Sequence, residues 1–289
     1  MSSILKNICY LILPEYFIIT IFSVIASSLV ISGRIDTFII LPIFSLSFAM
    51  IGFNTFNNIF DVDIDKINKP DRPIPKGVIK SKHVILLSFF SFFSAFLFSL
   101  LIDLYSVFLI NIFIIMAFLY SLPKLRFKKY LFSSNIIGSV IYGAIPFLLV
   151  WRSVGGEIPF YFLLFFTLLI FCMAPIKDIE DVKGEKIHAV KTIPIFIGVK
   201  KTTNLVIFLF IVLNTMNLIL ILLKFIPLEY IYSVFLSYLI IYFLNIIYRK
   251  NIIKESNIIT QSKLVTFTMI AVILIELSYG FVRVFLIAS

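Results

Sequence analysis

Thiol, imidazole and carboxylate side chains are all scarce in this sequence of 289 residues. The two cysteines, Cys9 and Cys172, lie in apolar segments without metal-ligand spacing, which excludes a disulfide framework and a thiolate metal site. The two histidines, His83 and His188, are too far apart in sequence to indicate a histidine metal site. Only 15 residues are Asp or Glu, against 25 Lys and Arg. Any metal site must therefore be built from a few carboxylate or amide oxygens.

Apolar residues dominate the sequence: 61% of the chain is hydrophobic, and the mean hydropathy is +1.10. Soluble domains are typically about 45–50% apolar. Stretches near 20 apolar residues recur, and each is long enough to cross about 30 Å of hydrocarbon. We predict an all-α integral membrane protein in which residues 1–289 form a single membrane-embedded domain. The nine predicted transmembrane helices cover residues 10–32, 37–62, 83–102, 105–122, 134–151, 159–179, 202–224, 228–248 and 264–287.

The basic residues fall mainly on one side of these spans. Of the 25 Lys and Arg, 21 precede the first span or lie at the ends of even-numbered spans and in the loops after them, and four lie on the other side. This asymmetry predicts a multi-pass cell-membrane protein with a cytoplasmic N-terminus and an outside C-terminus. The loops also explain the net charge of +10 without a nucleic-acid partner. Nothing in the sequence indicates an obligate protein partner.

Eight of the 15 acidic residues cluster at or just after the ends of the second and sixth spans, on the predicted cytoplasmic side. The first cluster reads NNIFDVDID from residue 57 to 65, and the second reads KDIEDVKGE from residue 177 to 185. Helical spacing places Asn57, Asp61 and Asp65 on one face and Asp178 and Asp181 on another. We expect Gly184 to break the second helix. Because like charges at this spacing repel, a cation should neutralise each face.

Hard oxygen donors without thiolate or imidazole suit Mg²⁺, which proteins usually bind through one or two carboxylates together with substrate phosphates. The adjoining basic residues can take the remaining phosphate oxygens. The two clusters therefore predict a site for a diphosphate bridged by Mg²⁺. The candidates for diphosphate binding are Asn57, Lys66, Arg72, Lys124, Arg126, Lys177 and Lys191.

Two other interpretations of the clusters stay open at this point. An acidic helix end beside a basic loop is also typical of a solvated cap at the membrane surface. The carboxylates could instead be the ion sites of an ion-coupled membrane carrier, although such sites usually lie near the membrane midplane. Glu276 is the one carboxylate predicted to lie well within a span. We expect it to pair with a polar residue on a neighbouring helix, or to be protonated.

The two clusters resemble the aspartate-rich motifs of UbiA-type intramembrane prenyltransferases. In that family an Asn-xxx-Asp-xxx-Asp pattern is followed by a loop like RPIPKG, which here begins at Arg72. The second cluster, followed by KTIP from Lys191, is similar to the second motif, with Glu185 where the family usually has Asp. The stretch YSLPKLR from Tyr120 to Arg126 is similar to the family's loop after its fourth helix.

The resemblance implies a fold with nine helices around a central cavity and an active site that opens to the cytoplasmic side. It implies that Asn57, Asp61 and Asp65 hold one Mg²⁺ and that Asp178 and Asp181 hold a second, the four aspartates being catalytic. Within the family, the motifs are most similar to archaeal digeranylgeranylglyceryl phosphate synthases. That similarity implies geranylgeranyl diphosphate as donor and a lipid, geranylgeranylglyceryl phosphate, as acceptor, within a membrane of lipids. The alternative acceptor is an aromatic quinone precursor.

Overall fold

The computed structural model describes residues 3–252 and 258–288, and these residues form helices joined by turns, with no strand among them. Lys254, in the basic loop after the eighth predicted span, lies outside the described residues. The helices are α1 (Ser3–Ile12), α2 (Pro14–Ser32), α3 (Ile40–Phe60), α4 (Val62–Asn68), α5 (Ser81–Leu100), α6 (Leu104–Ser121), α7 (Ser133–Ser139), α8 (Ile145–Val154), α9 (Phe160–Lys177), α10 (Val182–Ile187), α11 (Ile193–Ile197), α12 (Val199–Leu222), α13 (Ile231–Ile252) and α14 (Ile258–Ala288).

Nine helical segments in the described part of the chain are long and apolar enough to cross a membrane, which confirms the predicted number. They are Pro14–Ser32, Thr37–Phe60, Ser81–Leu100, Leu104–Ser121, Ser133–Val154, Phe160–Ile187, Val199–Leu222, Leu228–Lys250 and Ser262–Ile287. The remaining helices are short. Two of them, α4 and α10, continue directly from the spans that carry the acidic clusters.

The first span begins at Pro14 rather than at residue 10, because the chain bends between α1 and α2. Leu13 takes a left-handed backbone conformation with φ 56°. A proline restricts the residue before it and has no N–H to donate, so it suits the first turn of a new helix. The bend lets α1 pack across α3, where Asn54 Nδ2 donates to the Ile12 carbonyl at 2.9 Å.

The two acid-bearing helices also end earlier than predicted. Helix α3 ends at Phe60, and Asp61 has φ −100° and ψ 8° before α4 begins. Backbone hydrogen bonds still join Asp61 to Asn57 (3.0 Å) and Asp65 to Asp61 (2.7 Å), so the predicted four-residue register continues across the junction. The prediction that Gly184 breaks the second acidic helix is wrong, because Gly184 lies inside α10.

A widened helical turn connects α7 to α8 within the fifth span. The Ile145 N–H bonds the Val140 carbonyl, an i→i−5 bond of the π type. Pro146 has no N–H to donate to the Tyr142 carbonyl, which accounts for the departure from α-helical bonding here. Gly143 allows α9 to approach closely, since a Cβ at this position would lie 2.8 Å from Thr167 Cα.

Small residues set the closest contacts between spans, as expected where lipid removes the hydrophobic drive for helix association. A Cβ on Gly280 of α14 would lie 2.7 Å from Leu29 Cβ of α2, and a Cβ on Gly52 of α3 would lie 2.6 Å from the Phe92 ring of α5. The hydroxyl of Ser88 donates to the Gly52 carbonyl at 2.8 Å. The Gly280 contact joins α14 to α2, two of the helices around the cavity described next.

An open cavity, with about 420 Å³ of atom-free space that includes the solvent at its opening, lies among α2, α7, the widened turn, α9 and α14. Its walls are mainly apolar and aromatic. It is lined by Tyr16, Ile19, Ser134, Gly138, Tyr142, Ile170, Met173, Ala174, Lys177, Asp178 and Met269. Because Lys177 and Asp178 belong to the second acidic cluster, the cavity reaches the acidic end of the bundle.

Candidate active site

Asp61, at the junction of α3 and α4, accepts hydrogen bonds from its own helix and from the loop after α6. Asn57 Nδ2 donates to Asp61 Oδ2 at 2.8 Å. Lys128 Nζ lies 2.5 Å from both Asp61 oxygens, and Arg126 Nη2 lies 3.0 Å from Oδ1. Asp61 is 6% exposed and Lys128 is 4% exposed. The first motif therefore holds a buried carboxylate against two cations that lie 65 and 67 residues away in sequence.

Asp65, one turn further, is paired with a cation from its own loop. Arg72 Nη1 donates to Asp65 Oδ2 at 2.7 Å and to Asn58 Oδ1 at 2.8 Å, and all three side chains are buried. Pro70 and Pro73 flank the turn that carries the arginine. Burial raises the pKa of the Asp65 carboxyl, and the adjacent Arg72 guanidinium opposes that rise. The buried pair ties the loop after α4 back onto α3.

The second motif is bound to the first through α4. Lys69 Nζ lies 2.8 Å from Asp181 and 3.4 Å from Glu180. Burial by itself lowers the pKa of Lys69, but the carboxylates of Asp181, Glu180 and Asp65 together outweigh that effect and raise the pKa. Asn68 donates to the Asp181 carbonyl at 2.8 Å and accepts from the Gly184 N–H at 2.9 Å. A Cβ on Gly184 would lie 2.9 Å from a backbone oxygen of α4, so glycine permits this contact.

Asp178 lies just after α9, at the end of the cavity. The hydroxyl of Ser134 donates to Asp178 Oδ2 at 3.3 Å. Neighbouring Lys177 places its ammonium 5.4 Å from the centre of the Tyr16 ring and 5.5 Å from that of Tyr120, within the range of cation–π contacts. The lysine therefore stands between aromatic rings at the cavity mouth.

Lys128 links the two motifs electrostatically. Besides its contacts with Asp61, this ammonium acts electrostatically on Asp178, Asp181 and Glu185 of the second motif. Both acidic clusters thus lie around one group of buried cations rather than at separate points on the surface. The interpretation as solvated caps does not fit this burial.

The other predicted phosphate ligands lie further out. Lys66, Lys124 and Lys191 are exposed. Lys66 pairs with exposed Asp63 at 3.0 Å, and the hydrogen bond from Lys66 lowers the pKa of Asp63. The Lys191 N–H donates to the Lys129 carbonyl at 3.0 Å, which joins the loop after α10 to the loop after α6. The contribution of the three exposed lysines to binding stays a prediction.

Three residues of the site were not predicted: Asn68, Lys69 and Lys128. Asn68 and Lys69 lie inside the first motif, and their position directly before Pro70 was the signal that could have identified them. Lys128 has no such signal, because it is one of four basic residues in an irregular loop. Only the folded chain distinguishes it from its neighbour Lys129.

Glu276 of α14 is fully buried. The Ser23 hydroxyl of α2 donates to Glu276 Oε2 at 2.6 Å, which confirms the predicted pairing with a polar residue on a neighbouring helix. The pair links the first and last spans across the bundle.

The donor set of the first motif fits a divalent cation. No three or more His, Cys, Asp or Glu side chains are gathered for a metal within residues 7–250 and 262–287. Magnesium, however, needs only one or two carboxylates when phosphate oxygens and waters complete its shell. Asp61 already holds the ammonium of Lys128 evenly between its two oxygens, with the amide of Asn57 beside it. A positive charge therefore stands where the predicted ligands would hold a metal.

A polytopic helical membrane protein with buried aspartates around a cavity mouth matches one known group of proteins throughout its length. The profile of the UbiA prenyltransferase family matches residues 17–275. The digeranylgeranylglyceryl phosphate synthase of Methanobrevibacter smithii is 33% identical over 244 residues, which cover 80% of each chain. The protein of the same name from Sulfurisphaera tokodaii is 34% identical over 169 residues, 57% of this chain and 59% of that relative. The chain spans 53% of the relative from Thermococcus kodakarensis.

Solved structures agree with these matches. A structure from work on digeranylgeranylglyceryl phosphate synthase in membranes superposes with a TM-score of 0.68 at 26% identity, covering 98% of this chain and 99% of that one. A UbiA homologue from Archaeoglobus fulgidus, bound to DMAPP and Mg²⁺, superposes with a TM-score of 0.69 at 15% identity, over 92% of this chain and 99% of that one. The chain belongs to the UbiA prenyltransferase family.

Proposed function

We propose that this protein transfers a geranylgeranyl group from geranylgeranyl diphosphate to geranylgeranylglyceryl phosphate, forming the second ether bond of an archaeal membrane lipid. The names of the relatives from M. smithii and S. tokodaii support this acceptor. The homologue that carries DMAPP and Mg²⁺ supports a prenyl diphosphate donor and a magnesium ion. We further propose that the whole chain forms one membrane-embedded domain, with a cytoplasmic N-terminus and an active site that opens to the cytoplasm.

The observation that carries the proposal is the meeting of two buried acidic motifs and their cations at the mouth of an apolar cavity. Cations stabilise the negative charge of a departing diphosphate. They do so most strongly when buried aspartates hold them beside it, away from water. The prenyl chain needs apolar surroundings, and the apolar and aromatic side chains that line the cavity between α2, α9 and α14 support that role. An ion carrier would be expected to hold its ion sites near the membrane midplane rather than at the ends of its spans.

In the proposed reaction the bond between C1 of the prenyl group and the diphosphate oxygen breaks, and a C1–oxygen bond to the acceptor hydroxyl forms. Bound Mg²⁺ would stabilise the negative charge that develops on the leaving diphosphate. Asn57, Asp61 and Asp65 would hold one ion, and Asp178 and Asp181 a second. The hydroxyl proton passes to a free carboxylate oxygen or to the diphosphate product.

Aromatic side chains of the cavity would protect the reacting carbon from water. Tyr16 and Tyr142 line the cavity, and Tyr120 flanks Lys177 at its mouth. Their ring faces would favour the positive charge that develops on the prenyl group by about 0.5–2 kcal/mol each. Lys177, Arg126 and Arg72 are the proposed phosphate ligands that lie among the buried acids, with Lys66, Lys124 and Lys191 further out.

An acceptor panel tests the proposal most directly. Purified protein in nanodiscs with Mg²⁺ and geranylgeranyl diphosphate is offered geranylgeranylglyceryl phosphate, 4-hydroxybenzoate or dihydroxynaphthoate, and products are identified by mass spectrometry. We expect product and released diphosphate with the glyceryl phosphate lipid alone. Product with an aromatic acceptor only would favour the alternative family activity. Ion flux in proteoliposomes without any prenyl product would favour a carrier.

A further inference from the structure

The oxygens of Asp61 are fully engaged by side chains of the protein itself. Oδ1 accepts from Lys128 and Arg126, and Oδ2 accepts from Lys128 and Asn57. A carboxylate offers about four lone-pair positions, so these contacts fill it. A metal ion that binds Asp61 must therefore displace at least one of these donors.

The loop that carries the two cations is held in a strained form. Arg126 has φ 34° and Phe132 has φ 69°, both in the left-handed region that non-glycine residues rarely adopt. The Arg126 Nε is buried without a hydrogen-bond partner among the described residues. The ion pairs with Asp61 thus hold residues 122–132 in a conformation that the loop's own backbone does not favour.

The other buried ion pair of the first motif is built differently. Arg72 binds Asp65 from seven residues away, within the same loop, and a second partner, Asn58, shares its guanidinium. That pair closes a short turn within one segment of the chain. Lys128 reaches Asp61 from a different loop, and its charge also acts on the carboxylates of the second motif. Lys128 therefore neutralises Asp61 without closing a turn of its own loop, and it can leave the carboxylate when another cation binds there.

We propose that Lys128, assisted by Arg126, is a built-in counter-cation of Asp61 that competes with the divalent metal and is released toward the diphosphate when metal and substrate enter together. This proposal rests on the proposed function. Metal binding alone is then weakened by Lys128, because the ammonium must first leave the carboxylate. Binding of the metal with its diphosphate is favoured, because the displaced ammonium gains phosphate oxygens as new partners. Lys128 thus acts on Asp61 before the metal enters and on the diphosphate afterwards.

The test measures metal binding without turnover. Mn²⁺ is titrated against purified protein in detergent, and free Mn²⁺ is followed by electron paramagnetic resonance. Lys128→Met keeps the aliphatic stem and removes the charge, so we expect it to bind Mn²⁺ about tenfold more tightly than the parent, within the usual range of coupling between two binding events. Lys129→Met is the matched control, since Lys129 forms no ion pair within the described residues, and it should bind like the parent.

Adding Asp61→Asn to Lys128→Met should abolish the gain in Mn²⁺ affinity. That result would assign the gain to the Asp61 carboxylate. In turnover assays Lys128→Met should raise the KM for geranylgeranyl diphosphate several-fold, whereas Lys129→Met should not. Circular dichroism and size-exclusion profiles confirm that each variant is folded, and Lys128→Arg, which keeps the charge, should behave like the parent.

The outcomes separate this proposal from the proposed function. Unchanged or weaker Mn²⁺ binding by folded Lys128→Met, in a parent whose binding depends on Asp61, overturns the counter-cation role alone. Absence of any Asp61-dependent Mn²⁺ binding in every variant, with geranylgeranyl diphosphate present, overturns the metal site and therefore both proposals. If Lys129→Met also binds Mn²⁺ more tightly, the effect follows from the loss of any nearby positive charge, and the specific role of Lys128 is overturned.

Discussion

The two acidic motifs resemble each other in sequence but differ in how their charge is balanced. In the first motif, Asp61 and Asp65 each form a short ion pair with a buried cation. In the second, Asp181 shares Lys69 with Glu180, and Asp178 forms no ion pair among the described side chains. Asp61 must therefore exchange partners before it can bind a new cation, whereas Asp178 accepts one hydrogen bond, from Ser134, among the described side chains.

The difference follows from where the cations come from. The loops after α4 and α6 supply the first motif, and the end of α4 also supplies Lys69 to the second. The second motif donates no comparable cation to the first, since Lys177 is turned toward tyrosine rings. The two motifs therefore differ in their electrostatic balance. Substitutions in the first motif should act by removing ion pairs, and substitutions in the second by displacing its carboxylates.

Asp61→Asn should have the largest effect, because it removes the charge around which the first motif is arranged. We expect turnover to fall by about 10³-fold or more, as when a main electrostatic contact to the reacting group is lost. Asp63→Asn is the matched control, since Asp63 is exposed and pairs with Lys66, and its turnover should stay within about twofold of the parent, as for an exposed pair. Near-parental activity of folded Asp61→Asn would contradict the metal role of the first motif.

Arg72→Met tests whether the second ion pair of the first motif belongs to the fold. Removing one partner of a buried pair costs about 3–5 kcal/mol, because the other charge is left uncompensated. Lys76→Met breaks the exposed pair with Asp71 and should cost at most about 1 kcal/mol. Thermal unfolding in detergent measures both. If Arg72→Met raised only the KM for the diphosphate and left the unfolding temperature unchanged, Arg72 would be a ligand rather than a structural residue.

The sequence predicts those parts of this comparison that depend on local pattern. Apolar length predicted nine spans, and four-residue spacing predicted the stacking of Asn57, Asp61 and Asp65, because both follow from helical geometry. The partners of the acids could not be predicted, since Lys128 meets Asp61 across 67 residues of chain. The role of Gly184 was misjudged because a close contact with α4 outweighs the low helix propensity of glycine.

Gly184→Ala probes the joint between the motifs. Its added methyl would meet the Ile64 carbonyl at 2.9 Å, a backbone atom that cannot move independently of α4. We expect a loss of about 1–3 kcal/mol in the free energy of unfolding, typical of overpacking, together with weaker Mn²⁺ binding. Gly138→Ala is the control, because nothing lies within 4 Å of its Cβ position, and it should raise stability slightly. Equal effects of the two substitutions would mean that the contact between Gly184 and α4 does not hold the two motifs together.

Ser134→Ala should have the smallest effect, and it tests the contrast between Asp178 and Asp61. The Ser134 hydroxyl lies 3.3 Å from Asp178 Oδ2, a long contact, so its loss should cost about 0.5–1.5 kcal/mol. Turnover measured at saturating substrate should fall less than about tenfold, the equivalent of that energy. Ser133→Ala serves as control, because Ser133 bonds backbone carbonyls of the preceding loop instead. If Ser134→Ala lost as much turnover as Asp61→Asn, Asp178 would depend on the Ser134 hydroxyl as strongly as Asp61 depends on its cations. The contrast between the two motifs would then disappear.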